Sequence, residues 1–526
     1  MTGGLLQLIS KGSQDLFLTE NPQISFYKTV YRRYTNFSMD FISILPEKNE
    51  SLLDGLSGGE SKLTFKIKRH ADLISNIYFS FSLPAIYSNN NTQFKWVKNL
   101  GTNIIKKVSL YIEGRKIDEH YGEWISIWHE LNLNKTQKEN YYNMIGNIPT
   151  FFDPENANGV VGYPEKEISD GISSIPKKIF RVPLIFWFNR NPALALPLIA
   201  IQREEVTINI ELNPYYDLYT FIDTRGLVKK GTRITARQGK DSNLSFNKDI
   251  CEIQHYVNLN FGDDNDSDKI KVSISELETK LTAFTINPSL EINYIYLDKE
   301  ERNKFALNEH KYLIEQVQRN LIEEEIDSFS YEWKIHHPTT CFVIVPKRSD
   351  VYKRNEWNNY TVWTKEVTPW NNGFNSEYYS LYDVFNNPTL NEIYEPAKEI
   401  INSSLPYQYK RQKNIINKIQ LFLNDSERFS EEYDSDFYNK VQTYNYTKNK
   451  PPEGILFYSF SLKPFDYQPS GTCNMSRFSN IKLFFETIKV PIINNEFPYK
   501  FNFSLYSVNY NILIITSGKA NLQFSN

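Results

Sequence analysis

Two histidines and a cysteine form the first candidate site for chemistry in this sequence. His336 and His337 are adjacent, and Cys341 follows within the apolar run TCFVIVP. Imidazole and thiolate groups are the usual ligands of zinc, so the cluster raises the question of a metal site. Neighbouring residues on a strand point to opposite faces, however, and the two histidines cannot easily share one ion. We therefore expect no metal here.

An acidic stretch, DDNDSD at Asp263–Asp268, alternates its carboxylates in the manner of a calcium-binding loop. The sixth position of such a loop requires glycine for a sharp turn, and the twelfth supplies a bidentate glutamate. Here those positions hold Lys269 and Ser275. The stretch is therefore predicted to be an acidic, solvated loop.

A basic and aromatic stretch, KTVYRRYTNF at Lys28–Phe37, has the residue types that contact nucleic acid. The whole chain nevertheless carries a formal net charge of −3 and has an isoelectric point near 6.3, so its composition provides no extended basic surface. We expect a structural or interfacial role for this stretch, and no specific nucleic acid as a partner.

Sequence signatures of catalysis are missing. The chain contains no GxxxxGK[ST], HExxH or GxSxG motif, and no GxGxxG motif after a strand. Its seven histidines are scattered along the chain. We therefore predict that the protein is not an enzyme, with no catalytic, cofactor-binding or metal-ligating residues and no cofactor.

The composition indicates a large protein rich in β structure. The chain has 526 residues, enough for roughly two to four domains, and 15% of them are aromatic. Its three cysteines, Cys251, Cys341 and Cys473, are too few and too far apart for a disulfide framework, which favours a reducing compartment. The sequence shows neither a signal-peptide pattern nor an apolar stretch of transmembrane length.

Alternating apolar segments separated by turn residues predict antiparallel strands throughout the chain. They are Ser61–His70, Ile74–Pro84, Ile104–Gly114, Val182–Phe188, Glu205–Leu212, Leu290–Leu297, Thr340–Pro346, Ile416–Asn424, Ile455–Leu462, Asn480–Glu486 and Tyr510–Thr516. Helix signals are few: a capping box at Asp298 and Glu301 predicts a helix to about Phe305, and a second candidate spans Glu119–Leu131. Many strands and few helices favour a sandwich or a barrel.

Two distant stretches resemble each other. KKVSLYIEGRKIDEHYGEW begins at Lys106 and NKIQLFLNDSERFSEEYDSDF begins at Asn417. Each runs as an alternating strand, a polar turn and a charged segment that leads to an aromatic residue. Val108 aligns with Ile419 and, after one inserted residue, Tyr121 aligns with Tyr433.

Two further pairs of blocks keep the same order along the chain. FKIKRHADLISNIYFSFSLP pairs with YEWKIHHPTTCFVIVP, and PLIFWFNRNPALALPLIAIQREEVTINIEL pairs with ILFYSFSLKPFDYQPSGTCNMSRFSNIKLFFE. Three blocks in one order, displaced by roughly 270 to 310 residues, predict two copies of one domain. Because every strand must bury an apolar face against another sheet, each copy is predicted to be an eight-stranded jelly roll.

The predicted layout has three parts. Residues 1–30 form an N-terminal segment, residues 31–225 the first jelly roll and residues 226–526 the second. The boundary near residue 225 lies where periodicity weakens and the chain becomes polar. Long polar insertions at residues 132–178 and 347–413 are predicted to be surface loops, with a surface role and mere tolerance of insertion weighed equally.

Four segments resemble the major capsid proteins of nucleocytoplasmic large DNA viruses, closest to the giant-virus and algal-virus groups. They are GGLLQLISKGSQDLFLTENPQISFYKTVYRRYTNFS, PLIFWFNRNPALALPLIAIQREEVTINIEL, INYIYLDKEERNKFALNEHKYLIEQVQ, and GILFYSFSLKPFDYQPSGTCNMSRFSNIKLFFE with the terminal YSVNYNILIITSGKANLQFSN. The resemblance spans both halves in the family's order. Residues 230–280 and 347–413 depart from the family's pattern, and no property of the family is assigned to them.

The resemblance implies an all-β double jelly roll that forms homotrimeric, pseudo-hexagonal capsomers and tiles an icosahedral shell. It implies that residues 1–30 lie on the inner side of the capsid and that the long loops face outward. The implied partners are further copies, neighbouring capsomers, and minor capsid and penton proteins. Inner membrane-associated proteins and host glycans are further candidates, in a virion assembled in the host cytoplasm.

Two other functions stay open on the sequence alone. One is a minor or paralogous capsid protein with the same fold. The other is a glycan-binding β-sandwich attachment protein that uses Trp357, Trp363 and Trp370 as stacking platforms.

Overall fold

The computed structural model describes thirteen ranges of the chain: residues 2–23, 31–47, 61–157, 162–165, 167, 171–223, 232–235, 253–257, 286–353, 355–361, 414–429, 433–490 and 499–524. The acidic stretch at Asp263–Asp268, Cys251, Trp363 and Trp370 lie outside these ranges. So do residues 362–413, which make up most of the second insertion.

The described residues form twenty-two strands. They are β1 (Phe37–Ile44), β2 (Ser61–Lys66), β3 (Leu73–Leu83), β4 (Thr92–Trp96), β5 (Ile105–Ile112), β6 (Arg115–Tyr121), β7 (Lys178–Pro183), β8 (Leu196–Pro197), β9 (Val206–Leu212), β10 (Tyr219–Asp223), β11 (Thr232–Thr235), β12 (Ser289–Leu297), β13 (His310–Glu325), β14 (Ser328–Glu332), β15 (Pro338–Arg348), β16 (Ile416–Leu423), β17 (Ser426–Glu427), β18 (Leu456–Ser459), β19 (Cys473–Asn474), β20 (Ile481–Thr487), β21 (Phe501–Thr516) and β22 (Lys519–Leu522).

The helices of the described residues are short. They are α1 (Gly3–Ile9), α2 (Ser13–Thr19), α3 (Leu100–Asn103), α4 (Gly122–Asn132), α5 (Lys135–Ile145), α6 (Pro149–Phe152), α7 (Trp187–Arg190), α8 (Gln254–Val257), α9 (Lys299–Leu307) and α10 (Gln442–Tyr446), with a π-helical turn at Phe437–Val441 that leads into α10. Both predicted helices are present. In α9 the Asp298 side chain caps the helix by accepting a hydrogen bond from the backbone N–H of Glu301 at 2.9 Å.

The first barrel consists of two facing four-stranded sheets. One has the order β1-β12-β3-β7 and the other the order β2-β9-β5-β6, with all neighbours antiparallel. Alternate residues point inward, so that Phe65 of β2 meets Phe79 of β3 edge to face at 6.4 Å. Strands β4, β10 and β11 form a small additional sheet.

The second barrel repeats this arrangement. Its sheets have the orders β13-β21-β15-β18 and β14-β20-β16-β17, again antiparallel. Its core includes Phe342 of β15, Leu421 of β16, Phe485 of β20 and Phe503 of β21, each at most 1% exposed. The two barrels therefore share one order of eight strands, which is that of a jelly roll.

The internal repeat predicted from the sequence corresponds to equivalent strands in the two barrels. The stretches beginning at Lys106 and Asn417 are the β5–β6 and β16–β17 hairpins. The second pair of blocks runs from the end of β2 through β3 and from the end of β14 into β15. The third pair runs from the last residue of β7 through β9 and from β18 into β20. The strand predicted at Val182–Phe188 is wrong for most of its length, because β7 ends at Pro183 and α7 begins at Trp187. The prediction of two eight-stranded jelly rolls with few short helices is confirmed.

The predicted boundary near residue 225 does not agree with the strand pairing. Strand β12, at Ser289–Leu297, pairs with β1 on one side and β3 on the other, and so lies inside a sheet of the first barrel. The polar region that suggested a boundary lies between β9 and β12 in the sequence, and its described strands β10 and β11 belong to the small additional sheet. The first barrel therefore ends at about residue 297, and β13 begins the second at His310.

The two equivalent hairpins turn in the same way. Glu113 and Gly114 have φ values of 47° and 73°, and Asn424 and Asp425 have φ values of 48° and 63°. Two consecutive positive φ values define the type I′ turn, whose twist matches that of the flanking strands. The first barrel places glycine at the second position, whereas the second barrel places aspartate there.

Replacing Gly114 tests whether the turn needs a residue that tolerates a positive φ. A Cβ added at Gly114 would meet no atom within 4 Å, so Gly114→Ala changes only the conformational preference of the backbone. We expect it to destabilise the first barrel by about 1 kcal/mol and to lower its thermal unfolding midpoint by about 2–4 °C. Asp425→Gly, the matched change in the second barrel, should leave the midpoint unchanged or raise it. An equal fall of the thermal midpoint in both variants would contradict the conclusion that the positive φ of Gly114 favours glycine.

Candidate functional site at the seam between the two barrels

The outer face of a second-barrel sheet is buried against the first barrel, and we call this interface the barrel seam. Along β15 the side chains alternate between two cores. Phe342 and Ile344 fill the interior of the second barrel, while Cys341, Val343 and Val345 belong to the core that the seam shares with the first barrel. Both faces of β15 are therefore buried, which explains its unbroken apolar sequence.

Helix α4 is the main first-barrel element on the seam. It begins directly after β6, and its Trp124 is fully buried, with its ring 5.1 Å from that of Tyr506 on β21. Gly122 begins the helix because a Cβ there would lie 2.2 Å from the carbonyl oxygens of Thr102 and Ile105. This close approach sets where the helix starts and so places Trp124 against the second barrel.

A charged cluster lies beside these rings. The Tyr506 hydroxyl donates a hydrogen bond to Oε2 of Glu123 at 2.7 Å, and Lys347 forms an ion pair with the same carboxylate. Burial alone would raise the pKa of Glu123, but Lys347 and Arg319 outweigh burial and hold this pKa below its ordinary value. The Arg319 guanidinium also lies 4.7 Å from the ring centroid of Tyr121. The cluster thus joins α4 and β6 to three second-barrel strands.

A second charged group lies farther along the seam. Arg190, at the end of α7, pairs with Glu315 on β13, and its guanidinium lies 5.1 Å from the ring centroid of Trp128. A cleft of about 310 Å³ opens beside this pair. Burial raises the pKa of Glu315 despite the attraction of Arg190. Removing one partner of such a pair would leave an uncompensated buried charge, so the pair holds the barrels in one arrangement.

Three buried groups near Arg190 titrate far from their ordinary ranges. Burial, opposed by Arg190, raises the pKa of Asp118 to about 8, and Glu119 and Glu315 contribute to the rise. Burial and the positive charge of Arg190 lower the pKa of His120 to about 3, and burial lowers that of His129 to about 4. At neutral pH this side of the seam therefore contains a protonated aspartic acid and two neutral histidines.

Hydrogen bonds to backbone groups join two further segments to the first barrel. The Ala520 N–H donates to Glu204 Oε2 at 2.7 Å, and the Arg203 N–H donates to the Gly518 carbonyl oxygen at 3.1 Å. Trp357 donates from Nε1 to the carbonyl oxygen of Asp217 at 2.8 Å. The loop after β15 and the C-terminal hairpin thus both bind the first barrel.

The residues that the sequence suggested for chemistry do not come together at this seam. His336 is exposed and His337 is buried, and both lie in the turn before β15 rather than on the strand. Burial raises the pKa of the Cys341 thiol to about 12, so it stays protonated and packs as an apolar side chain. Of Lys28–Phe37, the described residues 31–37 are exposed.

Two features are absent from the described ranges. Within them, no group of three or more His, Cys, Asp or Glu side chains is placed to hold a metal ion. None of the helices within them is long and apolar enough to span a membrane.

Sequence reasoning missed the residues that join the barrels. Arg190 and Glu315 are 125 residues apart, and no short motif links them. One sequence signal did indicate the seam. TCFVIVP is almost continuously apolar, whereas a strand with one solvent-exposed face would alternate apolar and polar residues. A strand buried on both faces requires a second packing partner, which here is the other barrel.

The unusual pKa of Asp118 predicts how stability depends on pH. The unfolded chain loses this proton near the ordinary pKa of 3.8, whereas the folded chain keeps it to about 8, so stability falls as pH rises between these values. The lowered pKa values of His120 and His129 have the opposite effect, because they make stability rise with pH, but only below about pH 6.5. We therefore expect Asp118→Asn to raise the thermal midpoint at both pH 6.5 and pH 8.5, and by a few degrees more at pH 8.5, because the wild-type chain loses further stability between these two values.

The control for this experiment is Asp425→Asn, which makes the same change at an exposed turn position. Its melting curves should follow the wild-type pH dependence. If Asp118→Asn also follows that dependence between pH 6.5 and 8.5, Asp118 does not hold its proton in the folded chain.

The chain matches two family models over nearly its whole length. Residues 25–298 match the model described as the major capsid protein N-terminus, and residues 301–521 match the model described as the large eukaryotic DNA virus major capsid protein. The division between the models falls directly after β12, where the strand pairing ends the first barrel.

Individual relatives match over the same extent. The major capsid protein of Phaeocystis pouchetii virus is 29% identical, with all of both chains covered. That of Paramecium bursaria Chlorella virus 1 is 28% identical, again with all of both chains covered. The crystal structure of VP54 of PBCV-1, fitted into a reconstruction of the virophage Sputnik, superposes with a TM-score of 0.62 at 26% identity and covers 95% of this chain and 100% of that one. The chain therefore belongs to the major capsid protein family of large eukaryotic DNA viruses and has its double jelly-roll fold.

Proposed function

We propose that this protein is the main building block of a viral capsid and works as a homotrimer. The observation that carries the proposal is the barrel seam, which holds two jelly rolls of identical strand order in one fixed arrangement. Three such chains contain six similar barrels, so a threefold ring would have a nearly sixfold outline. An interface of this kind joins two different surfaces and closes into a ring.

A nearly hexagonal block suits a shell with flat facets, and we propose that these capsomers tile an icosahedral capsid in the virion. Neighbouring capsomers, minor capsid proteins and penton proteins would be the partners, and assembly would take place in the host cytoplasm. The family membership supports the capsid role, and the two-barrel shape supports the tiling.

The proposed role is structural rather than enzymatic. The buried charged groups at the seam pair with each other across the two barrels, as Arg190 and Glu315 do, and so serve to fix their arrangement. We keep the expectation that no residue of the chain is catalytic, binds a cofactor or ligates a metal.

The N-terminal segment is proposed to lie on the inner side of the capsid. Every residue in the range 2–23 is exposed, and so are the apolar side chains of α1 and α2. The exposed apolar residues are Leu5, Leu6, Leu8, Ile9, Leu16, Phe17 and Leu18. Helices of seven residues are unstable alone in water, so these require a covering surface. The trimer itself, or an inner membrane-associated protein, would provide it.

The two alternative functions have less support. A minor or paralogous capsid protein would share the fold and the seam, and its copy number in the virion would distinguish it. For a glycan-binding protein, Trp357 was one proposed stacking platform, but it is partly buried and donates a hydrogen bond to the backbone of Asp217. Trp357 is therefore not free to act as a stacking platform, and Trp363 and Trp370 lie outside the described residues.

The trimer can be measured directly by light scattering on the purified full-length chain. We expect a mass of about 186 kDa, three times the 61.9 kDa of one chain, and hexagonal outlines in negative-stain images of the same peak. A folded species of one chain at all concentrations would contradict the proposed trimer.

Limited proteolysis tests the position of the N-terminal segment. We expect a protease to remove the N-terminal segment rapidly from chain diluted until it is monomeric, because every residue in the range 2–23 is exposed, and slowly from intact virions. Cleavage at the exposed Leu462 loop provides the comparison in both samples. Equal protection of the segment in isolated chain and virion would contradict a segment that orders only on assembly.

A further inference from the structure

Helix α4 covers only part of the second-barrel sheet at the seam. Trp124, near its start, packs against Tyr506 of β21, and the helix ends at Asn132. Tyr510 lies four residues farther along β21, on the same face, and directly opposite Glu315 of β13 in the strand register. The cleft of about 310 Å³ opens at this place, and we call it the seam cleft.

Two loops form the sides of the seam cleft. The first-barrel loop after β7 contributes Arg190 and Leu194, and the second-barrel loop after β18 contributes Phe465 and Tyr467. Tyr467 remains 60% exposed. The cleft is therefore built by both barrels of a single chain, and its shape depends on their fixed arrangement.

Three polar side chains of the seam cleft keep hydrogen-bonding capacity that the described residues do not use. The Arg190 guanidinium donates from Nε to the Ile185 carbonyl oxygen at 3.1 Å and from Nη1 to Oε2 of Glu315. No hydrogen bond between described residues involves Arg190 Nη2, Glu315 Oε1 or the Tyr510 hydroxyl.

The Tyr510 hydroxyl is the most informative of these groups. Tyr510 is only 7% exposed, and a polar group so deeply placed normally has a hydrogen-bond partner. Burial, together with the charge of Glu315, raises the pKa of Tyr510 above its ordinary value, so the hydroxyl keeps its proton. It is therefore ready both to donate to and to accept from a ligand in the cleft.

Aromatic rings form much of the remaining wall. They belong to Trp128, Trp187, Phe465 and Tyr467. The Arg190 guanidinium lies 5.1 Å from the ring centroid of Trp128, and the ring centroids of Phe465 and Phe457 lie 5.8 Å apart in a stacked arrangement. These contacts hold the rings in place. A ligand that fits must therefore offer an apolar face to the rings and polar groups to Tyr510 and its neighbours.

The charges that line the seam cleft balance one another. Arg190 pairs with Glu315, and the lining also contains one further cation, Lys448, and one further anion, Asp466. Binding of phosphate or another anion favours clustered positive charge, and binding of a metal ion favours clustered carboxylates. The balanced lining therefore favours an uncharged ligand.

A pyranose ring combines the required properties, because its C–H faces are apolar and its hydroxyls both donate and accept hydrogen bonds. We propose that the seam cleft binds one pyranose ring of a neutral glycan, packed on the aromatic wall and hydrogen-bonded to Arg190, Glu315 and Tyr510. The volume of about 310 Å³ is near the lower limit of ligand pockets, so the rest of the glycan remains outside. This site goes beyond the proposed capsid role and needs no second copy.

Direct binding measurements test the ligand class. The full-length protein is titrated with the methyl pyranosides of glucose, galactose and mannose and observed by saturation-transfer NMR. We expect at least one of them to bind with a dissociation constant of about 1 mM, as is usual for a ligand of this size with a few hydrogen bonds. Inorganic phosphate should not displace it. Displacement by phosphate would show an anion site and overturn the proposal.

Two substitutions place the bound sugar in the cleft. We expect Tyr510→Phe, which removes only the hydroxyl, and Tyr467→Ala, which removes an exposed ring, each to weaken binding about tenfold with an unchanged circular dichroism spectrum. Tyr352→Ala is the matched control, because Tyr352 is 41% exposed and is not part of the lining. Unchanged sugar binding in both cleft variants would overturn the site.

Competition distinguishes two sources of the same ring chemistry, a glycan of the host cell surface and a glycan attached to a virion protein. Glycans released from host cells and from purified virions are each used to displace the bound methyl pyranoside. Displacement by either mixture supports the proposal and identifies the source, whereas displacement by neither overturns it.

The mass measurement remains independent of sugar binding. A trimer that binds none of the pyranosides overturns this inference and leaves the proposed function intact. A chain that binds sugar but never assembles overturns the trimer alone.

Discussion

The burial of strand β15 on both faces is the constraint on which the rest of the structure depends. Phe342 and Ile344 cannot leave the second barrel's interior, and Val343 and Val345 cannot leave the seam, without exposing apolar surface worth about 1.5–3 kcal/mol for each side chain. The buried charge pairs beside β15 also hold the barrels together, because separating the barrels would leave each charge without its partner. The two barrels consequently behave as one rigid block.

The same strand in the first barrel shows what the seam changes. Strand β3 is the equivalent of β15, and its inward residues are as apolar, with Phe79 and Phe81 nearly fully buried. Its outward residues Tyr78, Ser80 and Ser82 are mostly small and polar, whereas β15 places cysteine and valines there. One fold position therefore has two kinds of outer face, and the difference follows from the neighbour that each strand meets.

Much of the fold could be predicted because strand and turn patterns are local. The alternating segments, the capping box at Asp298 and the hairpin repeat all depend on residues close together in sequence. The domain boundary could not be predicted in this way, because Leu290–Leu297 reads equally well as the last strand of one barrel or the first of the next. Only its hydrogen bonds to β1 and β3 decide, and those partners are more than 200 residues away.

The candidate site was harder to predict for the same reason. A periodic pattern indicates that a face is buried but not what covers it, and nothing local distinguishes Arg190 and Glu315 from surface charges. Their environment arises only when α7 and β13 meet. The unbroken run TCFVIVP was the one local sign that a second packing partner exists.

The composition of the barrel seam follows from the covalent link between the barrels. Because the barrels are covalently linked, their effective concentration is high, and the seam can form within one chain before any second copy arrives. It can therefore bury an ion pair such as Arg190–Glu315 at a cost that free partners would not overcome. The outer side of β1, β12, β3 and β7 has no such linked partner within the described residues, and Phe37, Met39 and Phe41 there stay about half exposed beside the Arg181–Glu291 pair.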